Sequence, residues 1–113
     1  KRLLEQEFGG LAAGPRHILQ VSSGFTYSYK LNAPAGQHVA PESIKIGGRV
    51  IGPNERVRVA MNNFLASAGD GFTVFREGTD QLGGDIDVDA LVAYFRSHSP
   101  VTPGPRNRIS RLD

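Results

Sequence analysis

The sequence contains no cysteine, which excludes disulfides, thiolate chemistry and cysteine-based metal sites. It has no apolar stretch long enough to span a membrane and no signal-peptide pattern. Its three histidines, His17, His38 and His98, lie far apart. No HxxxH, DxH or paired-carboxylate pattern accompanies them, so no metal site is expected within the chain. Asp80, Asp85, Asp87 and Asp89 lack the calcium-loop spacing and read as solvated or helix-capping acids. Ser22 and Ser23 do not sit in a G-x-S-x-G elbow, which argues against a serine hydrolase. Gly47-Gly48 is not followed by the Gly-Lys of a phosphate loop. There is no repeat and no low-complexity segment.

Charge is nearly balanced, at +2, although the isoelectric point is near 9.3. The basic excess gathers at the end, in Arg106, Arg108 and Arg111. Without interleaved aromatics these read as a solvated terminus rather than a nucleic-acid surface. With 113 residues the chain is at most one domain, 1–113, able to bury a modest core. It opens with Lys1-Arg2-Leu3 in the middle of a helical pattern, so a piece of a longer protein is expected.

Leu4, Phe8 and Leu11 fall at helical spacing, with Gly9-Gly10 as the stop. Gly14-Pro15 marks a turn, and Ile18–Ser22 reads as a strand. Phe25, Tyr27 and Tyr29 alternate with Thr26 and Ser28, which predicts a strand with an aromatic face. A short strand over Ser43–Ile46 should turn at Gly47-Gly48 into Arg49–Ile51. Val57, Val59 and Met61 alternate with polar or small residues as a further strand, and Thr73–Phe75 reads as a short one. Asp87 is the expected N-cap of a helix whose apolar face is Val88, Leu91, Val92 and Phe95. Ser99-Pro100 ends it. The expected class is α+β: a mixed, partly antiparallel sheet covered by helices.

The stretch Asn62-Asn63-Phe64-Leu65-Ala66-Ser67-Ala68-Gly69-Asp70-Gly71-Phe72 carries the most chemistry. Phe64 offers either a stacking face or a core ring. Asp70 offers two acceptor oxygens suited to neighbouring sugar hydroxyls, or a turn cap. Gly69 and Gly71 permit close backbone approach and positive φ. Asn63 either braces the loop or touches a ligand. Phe72 reads as core, with an apolar wall as the alternative.

This stretch resembles the NxFLAxGGDGF signature in the C-terminal domain of the 5'-nucleotidase family. Leu19-Gln20-Val21-Ser22-Ser23-Gly24-Phe25-Thr26-Tyr27-Ser28-Tyr29 resembles the family's LQVSG-x-x-Y-x-Y segment, and Pro34-Ala35-Gly36-Gln37-His38-Val39 its P-x-G-x-R-V turn. Order and spacing agree over roughly Leu19 to Phe95. The resemblance implies a substrate-binding domain in which Phe64 stacks on a nucleobase and Asp70 holds ribose hydroxyls. It implies a second clamp position just before the Leu-Gln-Val match, occupied here by Ile18. It places Asn63, Gly69 and Gly71 in the binding loop. Where the family has a Gly-Gly pair before the acid, this chain has Ala68-Gly69, and Ala68 is expected at negative φ.

The resemblance also implies a separate N-terminal metallophosphoesterase domain holding two divalent metal ions, and a nucleoside monophosphate or nucleotide sugar as substrate. No catalytic metal ligand is expected within this chain, so the chain alone should be inactive. The family's phosphate-binding arginines lie upstream of Lys1. A periplasmic, secreted or cell-surface location follows from the family. Two alternatives stay open: a related phosphoesterase acting on cyclic phosphates or UDP-sugars, and a non-catalytic nucleotide-binding or adhesion module that keeps the fold.

Overall fold

Alternating rings and hydroxyls make Phe25–Tyr29 the central strand, β1, in the computed structural model, which describes residues 1–9 and 17–113. Ahead of β1 lies one short helical turn, α1 (Arg2–Glu5). After it come β2 (Lys45–Ile46) and β3 (Arg49–Val50). Gly47 and Gly48 join them with φ of +59° and +79°. Two positive φ values are what a two-residue hairpin of this twist requires. β2 lies antiparallel on β1, with Phe25 opposite Ile46, and β3 antiparallel on β2. Then follow α2 (Asn63–Ala66), α3 (Asp87–His98) and β4 (Ile109–Arg111). β4 runs parallel to β1 with Tyr27 opposite Ile109, giving the order β3-β2-β1-β4. The mixed sheet with a few helices is the expected α+β class.

The core gathers on β1. Tyr27, at 1% exposure, packs with Leu4, Phe8, Val39 and Ile44. Leu4 and Phe8 come from α1 and the turns that follow it, at the predicted helical spacing. Leu11, Gly10 and Gly14-Pro15 lie outside the described residues. Glu5 ties α1 to the chain beyond β1. Its carboxylate accepts from the Val39 N–H at 2.8 Å and meets His38 Nδ1 at 3.0 Å. The His38 ring stacks on Phe8 with centroids 4.5 Å apart.

Several expectations are overturned. Ile18–Ser22 forms no ladder: side chains take two of its backbone groups, with the Leu19 N–H on Glu7 Oε1 at 2.9 Å and the Val21 carbonyl on Arg108 Nη1 at 2.8 Å. Val57–Met61 is also not a strand, and its three apolar side chains are exposed. Alternation records which face is greasy but supplies no neighbouring edge. Thr73–Phe75 belongs to a 3-10 turn, Thr73–Glu77, because Gln6 Oε1 takes the Val74 N–H at 3.1 Å where a strand partner would stand. Asp87 is the first helical residue rather than the cap; Ile86 stands at the cap, and Asp87 Oδ1 accepts from the Val88 N–H at 2.8 Å. The apolar face of α3 is exposed rather than laid on the sheet. In the basic tail Arg106 and Arg111 are exposed, as expected, but the backbone is not free in solvent. The open edge of β1 needs partners for its backbone groups, and Ile109–Arg111 provides them. Asp113 adds two acceptors, for the Leu31 and Asn32 N–H groups, each at 2.8 Å. No described helix is long and apolar enough to cross a membrane.

Candidate functional site

Asn62 starts the site by capping α2: its side chain accepts from the Leu65 N–H at 2.9 Å. An asparagine at this position satisfies one of the amides a helix start leaves open. The bracing role considered for Asn63 therefore falls to Asn62, its neighbour. Asn63 is the first helical residue and is exposed. One residue on, Phe64 projects its ring from α2 with 54% of its surface exposed. That exposure removes the core reading of Phe64. Phe72 takes the core role instead, at 2% exposure and 6.2 Å from the Phe75 ring.

α2 gives way to a 3-10 turn, Gly69–Gly71, through a left-handed residue. That residue is Ala68, at φ +65°, contrary to the expected negative value. The turn must reverse the chain within three residues, and the left-handed step does it despite the Cβ. The glycine that the family carries at this place suits the same conformation at no steric cost. Asp70 follows at φ +54° and Gly71 at +82°. Asp is among the few side chains that tolerate this region. Gly69 has a different duty. A Cβ built on it would fall 2.6 Å from Cζ of Phe64 and closer still to other ring atoms. The bare backbone of Gly69 is therefore the surface on which the ring rests.

Two contacts fix this loop to the rest of the molecule. Arg76 Nη2 donates to the Ser67 carbonyl at 2.9 Å. Gln6, from the turn after α1, donates through Nε2 to the Gly71 carbonyl at 3.3 Å and to Thr73 Oγ1 at 2.7 Å, and accepts from the Val74 N–H. Arg2 and Glu77 add a bidentate pair at 2.6 and 2.7 Å, exposed and of little energetic weight. Gln6 carried no sequence signal, because one glutamine after a helix looks like any other.

Among the described residues the Asp70 carboxylate accepts no hydrogen bond. The ionic neighbour it has is His17, whose Nδ1 stands 3.9 Å from Asp70 Oδ2. Both side chains are open to solvent. Among the described residues Asp70 thus makes no turn-capping bond, and its side chain is partly open to solvent. Nothing in the spacing of the chain links His17 to Asp70; their nearness arises from folding. Ile18, next to His17, is half-buried against the core cluster. A hollow of about 330 Å³ lies elsewhere, among Lys1, Arg2, Gln6 and Thr73, and shares no residue with Phe64 or Asp70. No group of three potential metal ligands occurs among the described residues.

The stretch Asn62–Gly71 thus carries one exposed ring and one carboxylate that accepts no hydrogen bond among the described residues. The family model described as 5'-nucleotidase, C-terminal domain matches residues 1–77, which include the whole site. This chain belongs to that family. α3 and β4 lie beyond the match. Among curated proteins the chain is similar to an apyrase of Tabanus yao, 33% identical over 101 residues, covering 83% of this chain and 18% of that protein. It is similar to the trifunctional nucleotide phosphoesterase protein YfkN of Bacillus subtilis (strain 168), 35% identical over 118 residues, covering 99% of this chain and 8% of that protein. A 5'-nucleotidase-related protein of Glossina morsitans morsitans is 29% identical over 104 residues, covering 84% of this chain and 18% of its own. The chain thus spans less than a fifth of the length of these relatives.

Proposed function

We propose that this chain is the substrate-binding part of a 5'-nucleotidase-type phosphoric ester hydrolase. Phe64 stacks on the base, Asp70 accepts hydrogen bonds from the ribose hydroxyls, and Gly69 and Gly71 shape the loop between them. The observation that carries this reading is the pairing, on one short loop, of a half-exposed ring with an acid whose oxygens have no donor among the described residues. Hydrolysis belongs to a separate domain of the same protein with two divalent metal ions, and this chain alone is inactive. Paired metal ions of that kind supply electrostatic stabilisation of the phosphoryl transition state. The chain's own contribution is placement: holding base and sugar fixes where the phosphate lies, and positioning of this sort lowers a barrier. Similarity to a trifunctional nucleotide phosphoesterase and a 5'-nucleotidase-related protein supports nucleotides as the substrate class. A periplasmic, secreted or cell-surface location accords with the family resemblance.

A non-catalytic binding or adhesion module is the second reading. It is favoured by one observation: Ile18, at the expected second clamp position, sits against the core. Asp70→Asn in the full-length protein separates the two. A hydrogen bond to a charged acceptor is worth about 1.5–3 kcal/mol, so kcat/KM for a nucleoside monophosphate should fall roughly tenfold or more. Hydrolysis of a simple aryl phosphate should fall much less. Equal losses on both would leave Asp70 a loop-holding residue, and absence of turnover in the unmodified full-length protein would favour the module.

A further inference from the structure

We propose that His17 is a second sugar-contact residue, acting with Asp70 to recognise a vicinal diol. The inference rests on the substrate-binding reading of the Asp70 loop and adds a residue to it. The 3.9 Å between His17 Nδ1 and Asp70 Oδ2 exceeds the length of a nitrogen–oxygen hydrogen bond. The two groups therefore face each other across a gap rather than satisfy one another. A hydroxyl oxygen set about 2.8 Å from each atom bridges that gap. It donates its hydrogen to the carboxylate and accepts from the imidazole N–H. The second hydroxyl of a ribose then falls to the other Asp70 oxygen, since a carboxylate carries acceptor sites on both.

Three features of the site agree. Both side chains are solvent-accessible, so a ligand can reach them. Among the described residues neither forms a hydrogen bond with any other side chain. Asp70 is held at φ +54° next to Ala68 at +65°, and residues in that sparsely populated region collect at ligand-binding sites. A lone carboxylate accepts from any pair of donors, whereas a carboxylate with an imidazole opposite demands an oxygen that can donate and accept at once. That is the chemistry of a sugar hydroxyl, and it discriminates ribose from a deoxy sugar.

The test uses the full-length protein with His17→Ala, His17→Gln and Asp70→Asn, each assayed on a ribonucleoside monophosphate, its 2',3'-dideoxy analogue and an aryl phosphate. His17→Ala should lower kcat/KM for the ribonucleotide about five- to tenfold and leave the other two substrates within about twofold. His17→Gln, which keeps a donor and an acceptor, should recover most of the loss. Equal losses on all three substrates, or no loss on the ribonucleotide while Asp70→Asn still shows a ribose-selective defect, overturns the role of His17 alone. If Asp70→Asn shows no ribose-selective defect, the reading of the site itself has failed, and this inference with it.

Discussion

Phe64 and Gly69 work as a unit, and their energetics can be separated. Because more than half of the Phe64 surface is open, Phe64→Ala should cost far less than the 3–5 kcal/mol typical of a core aromatic. The melting temperature should hardly move. Nucleotide affinity should drop by the value of base–aromatic stacking, roughly 1–3 kcal/mol, or about five-fold to more than a hundred-fold. Gly69→Ala reaches the same contact from below. Its φ is not left-handed, so no backbone strain arises, but the new Cβ collides with the ring. The exposed ring can swing away, which keeps the fold and moves the stacking face. Isothermal titration with a nucleoside monophosphate should find weaker binding at nearly unchanged stability. A variant that melts early but binds normally would mean that the ring supports the loop and not a ligand.

At the scale of elements, the decisive device is the strap from the turn after α1 to the loop after the 3-10 turn Gly69–Gly71. Gln6 bonds Gly71, Thr73 and Val74 at once. Gln6→Ala removes all three contacts. Each net hydrogen bond is worth about 1 kcal/mol where the groups can turn to water, and these are partly exposed, so an overall loss of roughly 1–2 kcal/mol is expected. Hydrogen exchange at the Val74 amide should accelerate, and nucleotide KM should rise because the loop loses its anchor. Unchanged exchange at Val74 would show that the turn holds itself. By contrast, α3 carries its apolar stripe where no described element covers it. Its sequence pattern is that of a packed helix, but a stripe reports a need for burial, not the partner that meets it.

For the whole molecule, one buried acid sets a pH dependence. Glu7 is 2% exposed, and its oxygens accept from the Tyr27 hydroxyl at 2.9 Å and the Leu19 N–H at 2.9 Å. Burial pushes its carboxyl up from 4.5 to about 7, against the opposing pull of those two donors. Burial, with the carboxylate beside it, likewise pushes the Tyr27 phenol up, so it stays a donor. The native state thus holds a proton that the unfolded chain has released between pH 4.5 and about 7. Stability from this group is present below 4.5 and is lost as pH rises through about 7. Glu5 and Glu77 are shifted the other way, Glu5 held down by its bonds to Val39 and His38 despite burial, Glu77 by Arg2. Their contribution is lost as pH falls below 4.5, outside the range in which Glu7 titrates. Glu7→Gln keeps an acceptor for Tyr27 and Leu19 without the titration. Urea denaturation at pH 5 and pH 8 should show the unmodified protein losing stability relative to the variant at the higher pH. A constant difference between the two would show that Glu7 does not titrate in this range.

The local pattern alone determined a good part of this protein. Ring–hydroxyl alternation made β1, paired glycines made the hairpin at Gly47-Gly48, and the glycine-flanked acid marked the loop, because each depends on residues within a few positions of one another. The α+β class and the family followed from those pieces in order. What only the tertiary structure decided has a common physical cause, which is the choice of partner. Val57–Met61 has the right period for a strand and no edge beside it. Ile109–Arg111 has almost no strand signal and becomes β4 because β1 offers open backbone groups. Ile18 packs against the core, and His17 comes to stand beside Asp70. Contacts between residues far apart in the chain depend on chain closure and burial, and neither is written in the spacing of neighbours.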